Sequence, residues 1–409
     1  MNFDQQLQRY ARLILEVGLN VQPGDKIALD VSEEMIPLVR ILAKEAYKLG
    51  VLHVKMTFSD DEISLSRYQD GPEEALSYFP LFEVKAMTEA FDDGYHRLSL
   101  YAPNPELLKN VDPQKISLDQ RTRAAAMKPV MDYVTQNRIK WCVACVPSKA
   151  WATAVFPELP VEEAVSTLWQ SVFDAVRLNE EDPVQAWREH DQRLKKYQRL
   201  LDEASFKKLL FSGPGTELEV ELVEGHAWIG GSSDSPRGES FMANIPTEEI
   251  FTMPHAYKVN GRVQSTMPLS TQGRLIEDFW FEFKDGQVVN FDAAKGKEIL
   301  EDMLKIDDGA SRLGEVALVS DDTPISQAGI LYKNTLFDEN ASCHLALGSA
   351  YGENLPGSAE LSDEEKKEAG MNDSLIHVDF MVGGPKLQVT GVKKDGSEIP
   401  VLIDGNWAL

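Results

Sequence analysis

The chain has 409 residues, of which 41 are Lys or Arg and 66 are Asp or Glu, so its formal net charge is -25. A protein this acidic repels phosphate backbones and the anionic face of a membrane, and we therefore expect neither nucleic acid nor a membrane as a partner. The length exceeds the roughly 250 to 300 residues at which a single hydrophobic core usually stops growing. With 43% hydrophobic residues the chain can fill two such cores, and we predict two globular domains.

The segment at the start of the sequence carries an early acid, Asp4, and no basic stretch followed by a long apolar run, which argues against a secretory signal peptide. No stretch reaches the 18 or so apolar residues that a membrane span needs. Three cysteines are too few for a disulfide framework, and their odd number suits a reducing compartment. We predict a cytoplasmic location.

The first half of the chain alternates between helix and strand patterns. A helix from Asp4 to Val17 precedes an apolar strand, Lys26 to Val31, and an amphipathic helix, Met35 to Leu49, then leads into a second strand, Val51 to Phe58. Continued alternation of this kind is typical of a largely parallel sheet covered by helices. The fold class predicted is α/β, with a doubly wound N-terminal domain over residues 1–205.

From residue 206 the pattern changes to short strands separated by Gly, Asp and Asn turns, and Lys284-Asp285-Gly286 is typical of a hairpin turn. One helix is predicted from Ala293 to Leu304, and a strand from Ile376 to Met381. We predict a β-rich α+β domain over residues 206–409, and the candidate functional residues lie there.

Three acids of the second half stand out by their surroundings. Glu248 and Glu249 follow a proline turn, where they could also begin a helix capped by Thr247. Glu315 interrupts an apolar run in which an unpaired carboxylate would be costly, so that a metal ion or a basic partner would satisfy it. Alternatively, Glu315 lies at the solvent-exposed end of a strand.

His377 and Asp379 are separated by two positions in a predicted strand, so their side chains leave the same face and could bind one metal ion. The polar face of an edge strand would give the same pattern. His344 and Tyr351 flank a Gly-containing passage that we interpret as a loop. There they could be a metal ligand and a hydrogen-bond donor, or could serve packing alone.

Carboxylates and imidazoles without thiolates suit two divalent ions, Zn, Mn or Co, that share a bridging carboxylate. The residues concerned are far apart in sequence, so their spacing leaves open whether they meet. The candidate set is Glu249, Glu315, His344, His377 and Asp379.

Four segments of the second half resemble the aminopeptidase T and aminopeptidase S family of metallopeptidases. They are residues 244–252, 314–318, 344–351 and 377–380. Residues 18–25 and 213–218 extend this resemblance over nearly the whole chain. The resemblance implies a homodimer and a metal-dependent aminopeptidase that removes N-terminal residues from short peptides.

The resemblance also implies roles for the candidate residues. Two divalent ions per chain, Zn, Co or Mn, would be held by Glu249, Glu315, His344, His377 and Asp379, with Glu315 as the bridge. Tyr351 would lie close to the metals, where its phenol could donate a hydrogen bond to the oxyanion. We add Glu248 as the candidate proton shuttle, because it neighbours a ligand without being needed as one.

A second hypothesis is a protein without catalytic activity. In it the α/β domain would recognise a small ligand, and the acids of the β-rich domain would hold a structural cation. Transition-metal content and hydrolysis of peptides discriminate between the two hypotheses, because calcium alone, or no metal, would favour the second.

Overall fold

The computed structural model describes residues 2–271 and 274–409, and the chain forms two compact units. One unit comprises Met1–Glu189 with Ser232–Pro246, and the other comprises His190–Gly231 with Thr247–Leu409. The chain therefore passes from one unit to the other three times along its sequence. The single domain boundary at residue 205 stays a prediction.

The first unit contains a five-stranded sheet in which all neighbouring strands run parallel. In spatial order its strands are Asn244–Ile245, Trp141–Cys145, Tyr95–Tyr101, Lys26–Val31 and His53–Phe58. A separate pair of short strands joins Ser233–Asp234 to Ser240–Phe241. The residues of Lys26–Val31 alternate between half-buried and buried positions, and the buried ones are Ile27, Leu29 and Val31.

Helices connect these strands, and several begin at an acidic cap that the sequence supplies. Asp60 accepts a hydrogen bond from the backbone of Ile63, and Asp112 accepts one from Gln114. The α-helices before residue 205 are Phe3–Leu13, Ile36–Lys48, Asp61–Gln69, Glu73–Leu76, Leu81–Asp92, Pro113–Thr135, Lys149–Val155, Val161–Ala175 and Pro183–Ala204.

The second unit contains two antiparallel sheets. The larger has nine strands, Lys208–Gly213, Thr216–Leu222, Pro254–Gln264, Leu269–Thr271, Arg274–Lys284, Gln287–Lys295, Gln388–Val392, Glu398–Ile403 and Asn406–Trp407. The smaller has five, in the spatial order His377–Met381, His344–Gly348, Leu313–Leu318, Ile250–Thr252 and Ile229–Gly230. This smaller sheet carries the candidate site, and we call it the site sheet.

A hydrophobic core joins the two sheets of this unit. From the site sheet, Val316, Leu345 and Phe380 enter it, and the ring of Phe380 lies 5.2 Å from that of Phe281 in the larger sheet. Because strand residues alternate between faces, the neighbours of these core residues point away from the core. The other face of the site sheet is therefore lined by the side chains that alternate with these core residues.

The short α-helices of this unit are Lys297–Met303, Pro324–Ala328, Thr335–Asp338 and Asp363–Ala369. The helix predicted from residue 293 begins later, since Ala293 and Lys295 extend the preceding strand and pair with Phe279 and Glu277. One unit has a parallel sheet with helices and the other has antiparallel sheets, which confirms the predicted α/β class with a β-rich second part. Among the described residues, no helix combines the length and hydrophobicity that crossing a bilayer requires.

Candidate metal centre

His377 and Asp379 leave the strand His377–Met381 on the face opposite the hydrophobic core. Phe380, between Asp379 and the end of the strand, enters that core, so the period of two fixes where its neighbours point. The structure brings the imidazole Nε2 of His377 to 3.3 Å from Oδ1 of Asp379. The two residues can therefore act on one cation, as the strand pattern predicts.

Glu315 reaches the same face because of an irregularity in its strand. Leu313 pairs with Leu347, whereas Glu315 pairs with Ala346, so the register shifts between them. A bulge of this kind turns the following side chains to the other face of the sheet. Leu313 consequently lies in the core while the carboxylate of Glu315 joins the imidazoles.

A glycine makes this bulge possible. A Cβ atom at Gly314 would lie 2.2 Å from the backbone oxygen of Gly348 and 2.5 Å from that of Ser349. No side chain fits at such distances, and the neighbouring groups are backbone that cannot move aside. Gly314 therefore belongs to the structural basis of the site.

His344 begins a strand rather than lying in the loop that we predicted for residues 344 to 351. The strand His344–Gly348 lies between the strand that carries Glu315 and the strand that carries His377 and Asp379, and it pairs with both. Its imidazole Nε2 lies 3.2 Å from Oε2 of Glu249 and 3.4 Å from Oε1 of Glu315. A run of small and aliphatic residues containing glycine concealed this strand in the sequence.

The five candidate ligands form two overlapping groups. In each, one ligand atom per residue lies within 4.8 Å of the others: Glu249, Glu315 and His344 in the first, and Glu315, His377 and Asp379 in the second. Glu315 belongs to both, because its Oε1 faces His344 and its Oε2 lies 3.4 Å from His377. A carboxylate in this position can bridge two cations.

Both imidazoles are oriented by backbone carbonyl groups. Nδ1 of His344 lies 3.1 Å from the carbonyl oxygen of Ser342, and Nδ1 of His377 lies 2.7 Å from that of Ser349. A carbonyl oxygen only accepts, so each Nδ1 carries a hydrogen and each Nε2 is directed at the carboxylates. Histidines that bind metals are commonly oriented by such a hydrogen bond from the other nitrogen.

Burial and mutual attraction shift the ionisation of these groups. Burial alone would raise the pKa of Glu315, but hydrogen bonds from His344 and His377 lower it to about 2. Burial would lower the pKa of His377, yet the neighbouring Asp379 and Glu315 raise it to about 11. The carboxylate of Glu315 thus depends on protonated imidazoles when no cation neutralises it.

The charge, spacing and donor atoms of these residues fit divalent cations. Metal ions can replace the imidazole protons and neutralise the three acids. Oδ1 of Asp379 is buried and receives no hydrogen bond from the residues that the structure describes, although it lies close to His377. In the central strand the residue paired with both Glu315 and Asp379 is Ala346, whose methyl group leaves room between them. Oxygen and nitrogen donors without thiolates are compatible with Zn, Mn and Co.

Tyr351 stands at the edge of this cluster. Its ring centroid lies 4.6 Å from that of His377 and 5.9 Å from that of Phe251, while 44% of the residue remains exposed. Partial burial and the negative charges of Glu315 and Asp379 raise the pKa of Tyr351 far above its usual value. The phenol therefore keeps its proton and can donate a hydrogen bond.

Glu248 lies outside both ligand groups. Its carboxylate is buried beside the imidazole of His190, with 3.4 Å between Oε2 and Nε2. The segment from Thr247 to Glu249 is irregular backbone ahead of the strand Ile250–Thr252, and it does not begin a helix. The proton-transfer role of Glu248 stays a prediction.

Glu339 is an acid of this region that our sequence reasoning missed. It lies on a single 3₁₀ turn, Glu339–Ala341, ahead of the strand that carries His344. Burial and the negative charges of Glu249 and Asp379 raise the pKa of Glu339 well above its usual value. Only its position five residues before His344 could have indicated it, since no spacing rule connects a turn to a neighbouring sheet.

Known proteins resemble this chain over its full length. The sequence profile of a family described as thermophilic metalloprotease (M29) matches residues 3–407. Aminopeptidase 2 of Geobacillus stearothermophilus is 45% identical over 406 residues, which cover 99% of this chain and 98% of that protein. Aminopeptidase T of Thermus aquaticus is 39% identical over 100% of this chain and 99% of that protein. Among solved structures, wild-type AmpT from Thermus thermophilus matches with a TM-score of 0.94 at 38% identity, covering 100% of both chains.

The cluster makes a direct prediction about cation binding. Replacing His377 by Ala removes one nitrogen ligand and exposes Glu315 and Asp379 to mutual repulsion, so less metal should be retained per chain after dialysis. His53→Ala is the matched control, because His53 is an exposed histidine of the other unit. Elemental analysis of both variants should give a deficit for His377→Ala alone. Equal metal content in both would show that His377 is not a ligand.

Proposed function

The chain belongs to the thermophilic metalloprotease (M29) family, and from that premise we propose that it is a metal-dependent aminopeptidase acting on short peptides. The membership confirms the resemblance found in the motifs of the second half. Aminopeptidases at 39% to 45% identity support the general activity. The number of metal ions and the size of the substrates are our own inference.

The observation that carries this proposal is that the Glu315 carboxylate lies between two histidines. One carboxylate oxygen faces His344 and the other faces His377, and each histidine has a further acid beside it. We propose that Glu249, Glu315 and His344 hold one divalent ion and that Glu315, His377 and Asp379 hold a second. Zn, Co and Mn are the ions that we expect there.

Two bound cations would supply the chemistry common to such sites, polarisation of the scissile carbonyl and a lowered pKa for the attacking water. The phenol of Tyr351 would donate a hydrogen bond to the carbonyl oxygen as negative charge develops on it. Glu248 would accept the proton of the water and pass it to the leaving amine nitrogen. This role requires the Glu248 side chain to turn from His190 toward the site.

We also retain two further proposals, a homodimer, which comes from the family resemblance, and a cytoplasmic location, which comes from the sequence. The non-catalytic alternative, a small-ligand-binding α/β protein with a structural cation, stays open to the same experiments. Two overlapping ligand groups favour the enzyme, because a single structural cation needs only one group.

Activity should depend on both a transition metal and a free N-terminus. Metal-free protein refilled with Zn, Co or Mn is expected to hydrolyse some members of a panel of amino-acid arylamides. The same compounds acetylated at the α-amine should be inert, since an aminopeptidase recognises the free amine. Release of the coloured arylamine measures both reactions.

Three results would oppose the proposed activity. Hydrolysis by metal-free protein would exclude a metal mechanism, and equal rates on acetylated compounds would exclude an aminopeptidase. No hydrolysis of any compound in the panel, together with binding of calcium only, would favour the non-catalytic alternative.

The candidates for proton transfer can be separated by paired substitutions. Glu248→Gln should lower kcat by about 100- to 10,000-fold, the usual contribution of general acid–base catalysis, while metal content stays that of the parent. Glu339→Gln is the comparison, because Glu339 is also an acid near the proposed ligands that is not assigned to a cation. A large loss of kcat in Glu339→Gln with near-parental activity in Glu248→Gln would move the role to Glu339.

A further inference from the structure

Glu249 differs from the other proposed ligands in how its backbone is held. His344, His377, Asp379 and Glu315 lie on strands with ladder partners on the site sheet. Glu249 precedes the first paired residue of its strand, Ile250, and residues 247 to 249 have no regular structure. The position of its carboxylate therefore depends on contacts made by this short irregular segment.

One such contact is made by the side chain of Asn340. Its Oδ1 accepts a hydrogen bond from the backbone nitrogen of Glu248 at 2.6 Å. Its Nδ2 donates to the carbonyl oxygen of Leu336 at 2.9 Å, which fixes the orientation of the amide. Asn340 is fully buried, so bulk water does not compete for this hydrogen bond. The amide links the segment that carries Glu249 to the turn that precedes His344.

A second contact holds the segment from another side. Nε2 of His190 lies 2.8 Å from the carbonyl oxygen of Thr247. Arg193 lies 3.1 Å from Nδ1 of the same ring, and an arginine can only donate, so the imidazole hydrogen resides on Nε2 and is donated to Thr247. Asn340 and His190 thus fix the two sides of one peptide group, the one that joins Thr247 to Glu248.

We propose that Asn340 is a positioning residue for the cation held by Glu249, Glu315 and His344. It sets the distance between Glu249 and His344 by anchoring the backbone next to Glu249 to the turn leading into the His344 strand. This inference rests on the two-cation site proposed above. It assigns to Asn340 an effect on one cation and not on the other.

The selectivity follows from the second ligand group. His377 and Asp379 are held by the ladder between their strand and His344–Gly348, with Asp379 paired to Ala346 and His377 to Gly348. None of these pairings involves the segment from 247 to 249. Removing the Asn340 amide should therefore leave the second group in place.

The test titrates metal-free protein with Zn²⁺ against a chelating indicator in two backgrounds. His377→Ala retains the group containing Glu249, and His344→Ala retains the group containing Asp379. Adding Asn340→Ala should weaken Zn²⁺ binding by about 10- to 100-fold in the His377→Ala background, as is usual when the support of a ligand is removed. In the His344→Ala background the affinity should not change.

Thr216→Ala is the matched control for lost stability. Thr216 is also buried and its side-chain oxygen also accepts a hydrogen bond from a backbone nitrogen, that of Gln264, but it lies on a strand of the larger sheet. Either substitution should lower the midpoint temperature of thermal unfolding, whereas Zn²⁺ affinity in the His377→Ala background should fall with Asn340→Ala alone. Equal loss of affinity from both would overturn the positioning role.

Asn340→Leu removes the amide but nearly keeps the shape of the side chain, so it should weaken Zn²⁺ binding in the His377→Ala background as Asn340→Ala does. It also carries the test if Asn340→Ala does not fold. No loss with Asn340→Ala or with Asn340→Leu, or an equal loss of affinity in the two backgrounds, would overturn the proposal. Absence of Zn²⁺ binding by the unsubstituted protein would instead overturn the metal centre itself, and this inference with it.

Discussion

The carboxylate of Glu315 is the group on which the arrangement of the site depends. It is buried, and it faces one histidine with each of its oxygen atoms. A buried carboxylate is costly without compensation, and here the neighbouring Glu249 and Asp379 add further negative charge. Two imidazoles satisfy this charge in the absence of cations, and the same geometry suits two divalent ions sharing one bridging ligand.

The fold supplies this arrangement through the site sheet rather than through a flexible loop. One face of the sheet completes a hydrophobic core with Phe281 and its neighbours, so the strands cannot slide without moving apolar residues into the site. The bulge after Leu313 turns Glu315 to the opposite face. The small side chain of Ala346, on the central strand, leaves room between Glu315 and Asp379. Rigid strands hold four of the five proposed ligands, and buried polar contacts support the fifth.

Much of the fold and part of the site could be predicted from the sequence. Regular alternation identified the parallel sheet, and a period of two placed His377 beside Asp379, because both signals are local. The face occupied by Glu315 could not be predicted, since it depends on a bulge that requires close approach of a distant strand at Gly314. His344 was assigned to a loop, and Glu339 and Asn340 were missed, because a turn contacting residues some 90 positions away leaves no periodic trace. The family resemblance grouped the five candidate ligands, which their spacing in the sequence could not do.

Anomalous diffraction from crystals of the zinc-loaded protein, recorded above the zinc absorption edge, tests the central claim most directly. Our account predicts two peaks per chain on the polar face of the site sheet, each within bonding distance of one oxygen atom of Glu315. One peak should also adjoin Glu249 and His344, and the other His377 and Asp379. A single peak, or peaks remote from Glu315, would contradict the shared-carboxylate site.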